Sequence, residues 1–214
     1  MQLLQNYNVT IQIKRGFQMY RFYLAAVDML PGAILLIPIY WFLNRVYFRN
    51  ARKSILYCLF SCYLSVVYVL VGMPNITYIR PEINLNLIPI IGLIDDWKNS
   101  ILNILLFIPL GMALPFLWNK YRQLKNTLLF GFAFSLAIEL LQMLTFRATD
   151  VNDLITNTLG TYLGFLCTTY PLKKHRIEEA GSHKEAGLVI TVLLLVMFFV
   201  YPFVSAALWD MILQ

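Results

Sequence analysis

Residues 138–164 read IELLQMLTFRATDVNDLITNTLGTYLG, and the reading of this stretch decides the rest. A carboxylate, Glu139, stands near the end of an apolar run. A short polar break follows, and a second apolar run then opens on acidic residues. Glu139 and Gln142 are three apart, while Asp150, Asp153 and Asn157 stand at i, i+3 and i+7, so each set shares one face of a helix. Arg147 lies between the two sets. Ionisable groups in or beside an apolar span are costly without partners, which makes such a cluster a candidate site.

Composition gives that stretch its setting. The chain is 59% hydrophobic and 13% charged, against about 45–50% and about 25% in soluble domains. Spans of about 20 residues each then take up most of the 214 residues, so one membrane domain is expected. The net charge of +6 does not point to nucleic acid. Its Lys and Arg residues sit in short loops beside apolar runs, which is a membrane-orientation pattern, and no basic stripe interleaved with aromatics is present. Cys58, Cys62 and Cys167 all fall inside apolar runs and are read as buried structural thiols. No cleavable signal peptide is expected, because the first long apolar run comes too late.

The fold class expected is all-α, a polytopic bundle of about six transmembrane helices. Residues 1–23 are read as an interfacial or disordered segment. The spans follow at 24–43, 55–73, 100–118, 127–146, 154–170 and 188–208, with Asp28 as an interfacial or capping residue in the first. The fifth span reads as short. Its Gly160 and Gly164 have the GxxxG spacing that permits a close helix approach. Pro109 and Gly111 are read as bending the third span to shape a cavity. The loops after spans one, three and five carry four, three and four Lys or Arg; those after spans two and four carry two and one. Positive residues mark the cytoplasm, so the 74–99 and 146–153 loops, and with them both termini, are expected outside. An even number of crossings separates the polar segments NLNLIPI (84–90), Asn103, Glu139, Arg147, Asp150 and Asp153, which brings them to the same half of the bundle.

NLIP at 86–89, NILLFIPLG at 103–111, IELLQ at 138–142 and RATDVNDLITNTLG at 147–160 together resemble the VanZ-like family. The family's NLIPF here has Ile90 in place of the aromatic, and Phe146 replaces the glycine before Arg147. Neither change removes a polar group. The motifs fall within residues 55–170, which are taken as the core. Residues 24–54 then form an extra N-terminal helix with its basic loop, and residues 171–214 form a basic loop with a C-terminal helix. The resemblance implies a multi-pass protein of the bacterial cytoplasmic membrane and a link to teicoplanin sensitivity. It implies no mechanism.

Three roles for the cluster follow from its residues. The first is recognition of a lipid headgroup, a lipid-linked cell-wall precursor or a lipoglycopeptide. Arg147 would fork onto phosphate or carboxylate, and Asn86, Asn103, Gln142 and Asn157 would supply neutral hydrogen bonds. The second is catalysis on a lipid or lipid-linked precursor, with Glu139 as general acid or base. The third is structural, with Glu139 paired to Arg147 or to another helix, and with Asp150 and Asp153 at the positive N-terminus of the fifth helix. Asp150 and Asp153 could hold a hard cation such as Mg²⁺ beside that chemistry, but two aspartates alone make a weak metal signature, and no cofactor is assigned. A transporter normally carries internal repeats with matching broken helices, and none is evident.

Overall fold

The structure, a computed structural model, describes residues 27–81, 85–86, 97–145, 149–174 and 181–213. The segment expected at 1–23 lies outside the described residues. Six long helices run α1 (Val27–Phe48), α2 (Ala51–Leu70), α3 (Trp97–Leu117), α4 (Leu124–Gln142), α5 (Val151–Lys174) and α6 (His183–Leu213). The described regular structure is otherwise a short 3₁₀ turn, Asn119–Arg122, and two strands of two residues each, β1 (Leu85–Asn86) and β2 (Thr149–Asp150). The all-α membrane architecture expected from the sequence is therefore what the chain adopts.

Five of the six helices, all but α5, are long and apolar enough to cross a membrane. Each turns large apolar side chains outward, among them Ile37, Leu59, Leu102, Leu129 and Phe203. Apolar exposure spread over a whole helical bundle marks a lipid-facing surface. Helix α5 was expected to be short, yet it has 24 residues. Its polarity has a packing reason. Asn152, Thr156, Asn157, Thr161 and Thr168 are buried, and α3 and α4 cover that face. A helix shielded by its neighbours can carry amides and hydroxyls, many of which bond within the helix: Thr156 to the Asn152 carbonyl, Thr161 to Asn157 and Thr168 to Gly164.

Small residues bring α3 and α5 together. A Cβ at Gly160 would lie 2.3 Å from the Ile104 carbonyl oxygen, and one at Gly164 would lie 2.0 Å from that of Ile108. Gly111 meets the Thr161 carbonyl in the same way, at 2.0 Å. The expected GxxxG approach is present. Gly111 is part of that approach, and Pro109 and Pro115 lie within the one helix α3. All three thiols also depart from expectation in degree. Cys58 and Cys62 are half-buried, and Cys167 is exposed, because a bilayer can cover a side chain that the protein leaves bare.

The helix ends sort into two groups. At one end the basic loops gather: Lys53 pairs with Glu185 at 3.7 Å, Tyr57 donates to Glu185 at 3.0 Å, and the Gly181 N–H donates to the Leu117 carbonyl at 2.8 Å. Ser182 and Glu185 form a capping box that starts α6. The core between the ends is aromatic, with Tyr57 stacked on Trp118 and Tyr40 bonded to Ser61 at 2.6 Å. At the other end, the Asp28 carboxylate accepts the Trp209 indole N–H at 2.8 Å, and its carbonyl accepts the Tyr201 hydroxyl at 2.8 Å. Asp28 thus ties α1 to α6. A π-helical turn at Val196–Val200 interrupts the regular bonding of α6, and the Phe198 carbonyl there accepts the Ile76 N–H at 3.1 Å.

Candidate functional site

The polar end is assembled from the exits of α2 and α4 and the start of α5. Gly72, with φ 66°, turns the chain out of α2. Gln142, in the last turn of α4, donates to the Val71 carbonyl at 2.6 Å, and the Arg80 N–H donates to the Leu144 carbonyl at 2.8 Å. The two loops then run side by side in parallel, Leu85 opposite Thr149 and Asn86 opposite Asp150. Segments more than sixty residues apart are thereby held backbone to backbone, as the shared-side argument requires.

Glu139 is 3% exposed, and its carboxylate accepts the Asp150 N–H at 2.9 Å. It therefore fixes the backbone of β2 where α5 begins. Asp150 caps α5: one of its oxygens accepts both the Asn152 N–H and the Asn152 side-chain amide, each at 2.8 Å. Asp153, one turn on, accepts the Asn103 side-chain amide at 2.7 Å, which joins α5 to α3. Asn157 is 4% exposed and donates to Ser135 of α4 at 2.9 Å, while its side-chain oxygen has no partner among the described residues. A buried acceptor without a donor is uncommon and costs roughly 1–3 kcal/mol.

The structure brings Asn103, Glu139, Gln142, Asp150, Asp153 and Asn157 to this end, together with the backbone of Asn86. Arg147 lies outside the described residues. Ser135, Asn152 and Thr156 also belong to the cluster and were not foreseen. A lone Ser in an apolar run gives no signal, and Asn152 lies between two aspartates that draw the eye. Among the described residues no three His, Cys, Asp or Glu side chains gather as a metal site. The arrangement offers buried oxygen acceptors and amides that are held rigidly by three helices.

Fold and site together define a polytopic helical membrane protein with a buried polar cluster at one end of its bundle. The chain belongs to the VanZ/LLP1 family, whose signature it matches over residues 2–172. It is similar to Protein VanZ of Enterococcus faecium, at 30% identity over 119 residues, covering 55% of this chain and 71% of the relative. No solved structure matches it.

Proposed function

We propose that this is a cell-envelope protein of the bacterial cytoplasmic membrane. In this reading its polar end faces outward, binds the headgroup of a lipid or lipid-linked wall precursor, and thereby alters sensitivity to teicoplanin-type lipoglycopeptides. The observation that carries the reading is the convergence of Asn103, Glu139, Asp153 and Asn157 from three helices, with the Asn157 oxygen unpartnered among the described residues. The positive loops at the opposite end support the orientation. Arg147, three residues before Asp150, would supply the cation for an anionic headgroup. The drug link rests on the family resemblance alone.

The test is expression in a teicoplanin-sensitive Gram-positive host, with and without Glu139→Gln, at matched membrane levels. A raised inhibitory concentration that the variant loses, with unaltered lipids and precursors by mass spectrometry, supports binding. A new lipid or precursor species that disappears with Glu139→Gln replaces binding with catalysis. Unchanged teicoplanin susceptibility on expressing the wild-type chain removes the drug connection.

A further inference from the structure

Within α6, Pro202 carries no N–H, so the Phe198 carbonyl four residues earlier is left without its helical donor. The helix widens there into the π-helical turn Val196–Val200, in which the Tyr201 N–H donates to the Val196 carbonyl. The Phe198 carbonyl is taken instead by the Ile76 N–H, at 3.1 Å. A vacant acceptor in a spanning helix is thus filled from the loop that follows α2. In a membrane such an acceptor is costly to leave open.

The loop is shaped to present that donor. Asn75–Tyr78 is a closed turn: the Tyr78 N–H donates to the Asn75 carbonyl at 3.0 Å, and the Thr77 N–H donates to the Asn75 side-chain oxygen at 3.0 Å. The Met73 N–H donates to the Tyr68 carbonyl at 3.1 Å, and the Pro74 carbonyl accepts the Tyr68 hydroxyl. The turn is therefore seated on the end of α2, with its Ile76 N–H directed to α6. From this tip the chain returns to the polar end. The Arg80 N–H donates to the Leu144 carbonyl, the Gln142 amide holds the Val71 carbonyl, and β1 pairs with β2. The second residue of β2 is Asp150, whose N–H Glu139 accepts. One run of chain thus meets α6 at Phe198 and the polar cluster at Asp150.

We infer that residues 71–81, continued by β1, form a strap that couples α6 to the polar cluster, with the Phe198 carbonyl as its lock. A shift of α6 at its π-helical turn then reaches the β1–β2 pairing and the Asp150 backbone that Glu139 holds. The exposed Ile76, Tyr78 and Ile79 side chains put the tip of the strap against lipid, so the packing of the leaflet bears on the same lock. The coupling regulates the cluster read above as a headgroup site and rests on that reading for its purpose. Its test uses no ligand, so the two fail separately.

The test is thermal unfolding and hydrogen–deuterium exchange of the full chain in phosphatidylcholine nanodiscs. Ile76→Pro deletes the donor at the second position of the turn, where proline is favoured. It leaves the Phe198 carbonyl unpaired and should lower the unfolding midpoint by roughly 3–10 °C. Pro202→Ala gives that carbonyl a helical donor, so Ile76→Pro added to Pro202→Ala should lower the midpoint clearly less. Equal falls in the two backgrounds overturn the lock. Exchange at residues 149–152, relative to 127–138 inside α4, should quicken roughly two- to tenfold in Ile76→Pro, the range expected for one lost hydrogen bond. It should stay quick in the double variant, whose strap is still undocked. Exchange at 149–152 that matches the wild type overturns the coupling. Should Ile76→Pro alone fail to fold, the double variant has no vacant carbonyl, and its exchange against that of Pro202→Ala decides the coupling in the same way.

Discussion

Gly164→Ala should loosen the α3–α5 packing more than its single methyl suggests. The added Cβ would stand 2.0 Å from the Ile108 carbonyl oxygen and 3.0 Å from the Gly111 Cα. Both are backbone atoms, so no side chain can rotate aside. The helices would have to part by about 1 Å, and a gap of about 0.5–1 Å forfeits a quarter to a half of each dispersion contact along the interface. Overpacking of this kind costs about 1–3 kcal/mol, and the backbone obstruction puts the cost at the upper end. For a chain of this size that is a loss of roughly 5–10 °C in midpoint. The assay is thermal unfolding of detergent-purified protein followed by size-exclusion chromatography. Gly187→Ala in α6 is the control: nothing lies within 4 Å of its added Cβ, and helix propensity then favours alanine by up to about 1 kcal/mol. If Gly164→Ala matches Gly187→Ala in midpoint, the close approach of α3 and α5 is wrong.

Asn103→Ala should destabilise by about 1–3 kcal/mol, because Asp153 keeps its charge and loses a 2.7 Å donor; in a double-mutant cycle with Asp153→Ala the combined cost should be clearly below the sum, and strict additivity would mean the bond is idle. Glu139→Gln should fold nearly as well as wild type, since its side-chain oxygen can still accept the Asp150 N–H, whereas Glu139→Leu should lower the midpoint by an amount corresponding to about 1–3 kcal/mol. Asn50→Ala should cost about 1 kcal/mol, because Asn50 caps α2 through the Lys53 N–H; an unchanged unfolding midpoint would refute that role. Thr77→Cys should react with an impermeant thiol reagent on intact cells in a chain cleared of its native cysteines, and Lys125→Cys should react only after permeabilisation; the reverse pattern inverts the proposed orientation.

The spans were legible because lipid-facing helices must be apolar over about 20 residues, a pattern that needs no tertiary knowledge. Their ends were less so. Helix α5 was cut to 154–170 because its first turn carries Asn152 and Asp153, and only the covering by α3 and α4 explains why polar residues continue a helix there. The shared side of the polar loops followed from counting crossings, but their parallel pairing did not: two-residue strands leave no periodicity to read. Glu139 was singled out because no cap accounts for a carboxylate inside a span. Its partner was expected to be Arg147 or a residue on another helix; one partner is Asp150 at the start of α5, through a backbone N–H that a sequence does not display. The Asp150 cap, in contrast, was readable from an Asp standing immediately before an apolar run.

The bonds from Trp209 and Tyr201 to Asp28 bear on how the chain is made. During synthesis α1 leaves the ribosome long before its partner exists, and Asp28 waits through the insertion of four helices without the indole that will hold it. The bundle can close its seam only when residue 209 has emerged. A ribosome stalled between residues 174 and 201 would leave α1 bonded to α2 through Tyr40, Ser54 and Ser61, with the Asp28 carboxylate still lacking its indole donor. Such an intermediate is a natural substrate for membrane quality control, and the last helix is the latch that releases the protein from it.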